Sequence, residues 1–162
     1  MKNMIRRAAA FITAILDTRS QFASAGSLTA NAAAETLLGA VMSMDTAGLN
    51  LGQSMTPVYL VIGIDTSVVA AGGAANITFK LKSDSVATLD SAPVTHLVTA
   101  AIAKGTLVAG YVVCCVALPQ GEYGKYLGVT FTPDTNNVGT GKANAYLTLD
   151  PPQGWKAYAN AI

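Results

Sequence analysis

PVYLVIGIDT at residues 57–66, followed by AAGGAANITFKLKSD at 70–84, decides the fold class. VYLVIGI at 58–64 is β-branched and apolar on both parities, which predicts a central strand covered on both faces and ending at Asp65. AGGAA at 71–75 is a glycine turn. After it the alternation is clean: Ile77, Phe79 and Leu81 fall on one face, Thr78, Lys80 and Lys82 on the other. The first face belongs to a core and the second to water.

The same signal continues toward the C-terminus. SDSVATLDSAP at 83–93 carries Ser, Asp and Pro turn chemistry and predicts a surface loop, while VTHLVTAAI at 94–102 suits strand or helix. YVVCCVAL at 111–118 reads as an interior strand, stopped by Pro119, Gly121 and Gly124 in a hairpin-like connection. YLGVTFT at 126–132 places Leu127, Val129 and Phe131 on one face, and ANAYLTL at 143–149 does the same with Ala145, Leu147 and Leu149. Before residue 57 the pattern is weaker, with strands expected near 15–24 and 35–43. Short strands with frequent turn signals predict an all-β fold, a sandwich or barrel, and Pro151-Pro152 ends the sheet.

Composition narrows the function. Only 12% of the 162 residues are charged and 51% are hydrophobic, with a mean hydropathy of +0.41; about a quarter charged is usual for a soluble domain. Apolar surface in that quantity implies coverage by partners. Ten Lys and Arg against nine Asp and Glu leave a net charge of +1, which supplies no field for nucleic acid or anionic lipid. The longest strongly apolar run, LVAGYVVCCVAL at 107–118, is too short to cross a bilayer as a helix, so no membrane partner is expected.

Both ends stand apart from this pattern. MKNMIRRAAAFITAIL has the basic start and apolar stretch of a signal peptide, but Asp17 and Arg19 fall where a cleavage region is normally uncharged. Met4, Ile5, Ala8, Phe11, Ile12 and Ile15 also follow helical spacing, giving a short amphipathic helix, with a frayed basic terminus as the alternative. The tail QGWKAYANAI holds Trp155 and Tyr158, either anchors on a neighbouring subunit or residues folded back on the sandwich. Phe11, Ile12, Trp155 and Tyr158 are therefore the candidate partner contacts. The expected division is an N-terminal extension at 1–14, a sandwich at 15–150 and a C-terminal tail at 151–162.

Catalytic chemistry has little to build on. His96 is the single histidine and lies between apolar residues, where a structural role is the expected one. HExxH, GxSxG, phosphate-loop and paired CxxC patterns do not occur, so neither enzyme activity nor a cofactor or metal is expected. Asp134 with Asn136 and Asn137 is the best calcium candidate, but it lacks the spacing and glutamate of a calcium loop. Asn76-Ile77-Thr78 matches a glycosylation pattern that falls in mid-strand. Cys114 and Cys115 are adjacent, point to opposite faces of a strand, and read as free packing thiols.

Several blocks together resemble the capsid cement, or decoration, proteins of short-tailed bacteriophages of the Bordetella-phage type. PVYLVIGIDT with the AAGGAANITFKLKSD hairpin carries the resemblance. So do the strand closing on Leu118 to Gly121, the strand opening on Lys125 to Leu127, the ending GTGKANAYLTLD at 139–150, and ILDTRSQFASAGSLTA at 15–30. The resemblance implies a jelly roll, sitting as a homo-oligomer, with a dimer favoured, outside a shell of major capsid protein. The basic start and the aromatic tail depart from it and inherit no role. A carbohydrate- or receptor-binding jelly-roll module of the virion is the alternative function.

Overall fold

The computed structural model describes residues 18–44 and 57–150, which form an antiparallel β-sandwich. After a 3-10 turn at Thr18–Ser20 come β1 (Gln21–Ser27), β2 (Thr36–Leu37), β3 (Met42–Ser43), β4 (Tyr59–Ala70) and β5 (Asn76–Asp84). Then follow β6 (Val94–Val98), β7 (Ile102–Ala103), β8 (Val112–Ala117), β9 (Tyr126–Pro133) and β10 (Val138–Thr148). One sheet has the order β1-β10-β4-β8. The other has β2-β9-β5-β6, with β3 also on β9 and β7 also on β5.

If β2 with β3 and β6 with β7 count as single broken strands, the orders become 1-8-3-6 and 2-7-4-5. That is the jelly-roll arrangement, in which every connection except that from 4 to 5 crosses between two facing sheets. The expected all-β sandwich is present, and so is its predicted alternation. Ile77, Phe79 and Leu81 of β5 and Leu127, Val129 and Phe131 of β9 are fully buried. They meet Leu60, Ile62 and Ile64 of β4 and Ala143, Ala145 and Leu147 of β10 in one core. The Phe79 and Phe131 rings lie at the centre, 6.3 Å apart and tilted by 37°, within the range of favourable aromatic pairs.

Several sequence expectations need correction. The strand expected at 58–64 runs on to Ala70, past Asp65, because Asp65 and Thr66 are exposed and cost nothing there. The strand expected near 15–24 lies at 21–27. The one expected at 35–43 is two short pieces around Gly39, whose φ of +76° bends the chain so that a Cβ would sit 2.3 Å from the Phe22 carbonyl. VTHLVTAAI forms strand rather than helix, as β6 and the start of β7.

The turns at 71–75 and 119–125 are not hairpins, since each carries the chain from one sheet to the other. YVVCCVAL, read as an interior strand, is the edge strand β8, paired with β4 alone among the described residues. Val112 is 45% exposed and both cysteines are half-buried. Leu149 lies past the end of β10 and is exposed, so it does not continue the core row of Ala145 and Leu147.

Candidate functional site

The four residues expected to touch partners, Phe11, Ile12, Trp155 and Tyr158, lie outside the described residues. So do the two terminal segments that contain them. Within the described residues, polar chemistry gathers at three places.

The first joins β5, β6 and the loop before β9. His96 is the extra residue of a bulge in β6, since Leu81 pairs with Leu97 and Lys82 with Thr95. The bulge re-aims the side chain. His96 Nε2 lies 2.7 Å from Ser83 Oγ, and that oxygen also accepts the Gly124 amide at 2.9 Å. The imidazole stacks on Tyr123 with ring centroids 4.0 Å apart, and the Tyr123 hydroxyl donates to the Pro119 carbonyl at 2.7 Å.

Ser83 Oγ thus accepts the Gly124 amide and shares a hydrogen bond with the neutral His96 ring, its direction set by the imidazole tautomer. Burial lowers the His96 pKa and favours that neutral form. Ser83 is 1% exposed, so no substrate reaches its oxygen. The Ser–His contact is a latch between two edges rather than a nucleophile and its base.

Beside it, Asp84 Oδ2 accepts the Ser91 and Ala92 amides at 2.9 and 3.2 Å, and Oδ1 accepts that of Ser85 at 2.6 Å. Burial alone raises the Asp84 pKa, but these amide bonds outweigh it and hold the carboxyl below its usual value. The sequence placed Ser83 and Asp84 in a surface loop; they are the buried end of β5. Asp followed by serines at short range is the pattern of a carboxylate closing its own loop, and it marked the position.

The second place is the outer face of the β5/β9 sheet. Glu35 sits 3.1 Å from Lys82 Nζ and 3.5 Å from Lys80 Nζ, and the Thr130 hydroxyl donates to it at 2.6 Å. Partial burial raises the Glu35 pKa, yet the Thr130 bond and the two lysines prevail and lower it. The alternating lysines that marked the wet face of β5 thus share one carboxylate, whose distance in sequence hid the link.

The third is the 71–76 turn. Asp134 accepts the Asn76 amide at 2.8 Å, the Asn76 side-chain amide at 2.6 Å and the Thr135 amide at 2.5 Å. These bonds hold its carboxyl far below the usual range. Asn136 donates to the Ala74 carbonyl, while Asn137 accepts the Ala32 amide at 2.8 Å. The expected calcium candidates therefore face three different partners, and Asp134 clamps a turn. Among the described residues, no three His, Cys, Asp or Glu side chains come together as a metal site. Asn76, the candidate glycosylation position, has its side chain engaged by Asp134.

The thiols are not activated. Burial pushes Cys114 up to about 11 and also raises Cys115. Cys114 pairs with Ile62 and shares its inward face; Cys115 sits opposite Val61, which lies opposite Tyr146, on the outer face. Exposed valines occur on β6 (Val94 and Val98), before β8 (Val108) and within it (Val112), and Val69 of β4 and Leu149 are exposed as well. These residues offer contact rather than chemistry.

Fold and site together define a jelly-roll protein whose three polar clusters brace its own loops and sheet face. The particular family is that of Bbp16, whose model matches residues 22–147, 126 of the chain's 162 residues, and the chain belongs to it. This is a Bordetella phage protein family, as the sequence resemblance implied, and the protein is a phage virion protein. The curated proteins contain no match to the chain.

Proposed function

We propose that this protein is a capsid cement protein, binding the outside of the shell and bridging neighbouring subunits of the major capsid protein. It works as a homodimer and does no catalysis. Membership of the Bbp16 family across the whole described sandwich carries this reading. The surface supports it: ion pairs and carboxylates are used to brace loops, while valines on β4, β6 and β8 are exposed.

The physical task of such a protein is to resist the outward pressure of packaged DNA. Stable protein contacts bury about 1,600 Å² in total, and contacts repeated over a shell act together, so that no single one has to bear the load. A domain of low charge binds through apolar area and is little weakened by salt screening.

Adding the purified protein to expanded shells and following DNA release on heating tests the proposal. Release at a higher temperature in the presence of the protein is expected. Unchanged release with no protein retained on the shells contradicts it.

A further inference from the structure

β8 has the sequence of an interior strand and the position of an edge. Tyr111 to Leu118 contains no charged residue and no proline. Exposed edges are ordinarily blunted by charge, proline, bulges or shortness. The other outer strands are: β1 has two register shifts, β2, β3 and β7 are two residues each, and β6 is broken at His96. β8 has one shift at its start and then four consecutive regular pairs, from Cys114 to Ala117.

The direction of the groups that β4 does not pair follows from the ladder. The Leu118 amide donates to the Val58 carbonyl at 2.8 Å. Antiparallel alternation turns Val116 and Cys114 toward β4 as well, and Cys115 and Ala117 away from it. Outward N–H and C=O groups on a regular apolar strand are a template for one more strand.

We propose that β8 pairs antiparallel with β8 of a second copy, joining two four-stranded sheets into one of eight strands. This rests on the homodimer reading above and gives the dimer its interface. A two-fold axis at Val116 sets Cys115 opposite Ala117 of the second copy, and Ala117 opposite its Cys115. The outward groups then form two reciprocal hydrogen-bonded pairs.

The two Val116 residues face each other as a non-hydrogen-bonded pair, with Cα atoms about 4.5 Å apart. A second copy fits better than a foreign segment because the strand complements itself in this register. It also has no charge that would select another sequence or repel its own. Half-buried Cys115 and exposed Ala117 then continue the outer face across the axis, and half-buried Cys114 and Val116 the inner one.

The full chain with Cys114→Ser and Cys115→Ser, carrying Val116→Cys, is oxidised with diamide and sized. The expected main product has twice the 16.5 kDa chain mass, because the facing Cα separation suits a disulfide. Val94→Cys on β6, in the same background, stays at single mass. In parallel, Cys115→Pro removes an outward amide and no bond to β4; it is expected to halve the mass seen by sedimentation while leaving the circular dichroism of the sandwich unchanged.

A dimer that neither cross-links through Val116→Cys nor dissociates with Cys115→Pro overturns the β8 interface and leaves self-association intact. A chain that is monomeric throughout overturns both. Shell binding by such a monomer would still uphold the cement reading.

Discussion

Ser83 Oγ, held by the Gly124 amide and 2.7 Å from His96 Nε2, ties the imidazole into a corner with Tyr123 stacked on it. Burial in that corner disfavours the charged ring and holds His96 below its usual value of 6.5. A depressed folded pKa gives stability that is complete above 6.5 and falls as the pH drops below it, where the unfolded chain takes up the proton first. The thermal midpoint is expected to decline from pH 7.5 to 5.5, and His96→Gln to flatten that decline; an equal slope in both would remove His96 as its source. Gly124→Ala tests the same corner sterically. A Cβ there would lie 2.8 Å from the Asp84 carbonyl oxygen and 2.9 Å from its carbon, and overpacking against backbone costs about 1–3 kcal/mol. A lowered denaturant midpoint with an unchanged slope is the expected readout. Little of this corner was legible in the sequence. His96 sat in an apolar context that pointed correctly to a structural role, but the bulge that aims it depends on pairing between β5 and β6, which no local pattern encodes.

At the scale of elements, strand parity was readable and strand partnership was not. Ile77, Phe79 and Leu81 alternate with Thr78, Lys80 and Lys82, and the structure buries the first three completely. Phe79→Ala removes a ring that touches both the core and Phe131 and is expected to cost about 3–5 kcal/mol, measured by chemical denaturation. A loss below about 1 kcal/mol would mean that the two sheets are not packed through that ring. By contrast, the glycine turn at 71–75 looks the same in sequence whether it returns the chain to the same sheet or sends it to the facing one. β8 shows the other limit: an apolar pattern on both parities signals coverage, and among the described residues β4 alone pairs with it. The misreading of β8 as interior and the proposal of a second copy beside it have the same physical origin.

For the whole molecule, the jelly-roll order, the Bbp16 match and the low charge lie on different levels and agree. The core needs neither metal nor disulfide at this chain length, so the apolar surface left over is free for assembly. Asp84, Asp134 and Glu35 are bonded to backbone amides or lysines of the same chain. The segments singled out by Phe11, Ile12, Trp155 and Tyr158 lie outside the described sandwich, and their part in binding is decided by deleting each in turn and repeating the shell assay.

The most direct test of the cement function is an electron cryomicroscopy reconstruction of expanded shells incubated with the full-length protein. Our account predicts sandwich-shaped density at regular positions on the outer surface, each spanning a boundary between major capsid protein subunits. Bare shells at saturating protein, or density confined to the tail or the interior, would contradict it.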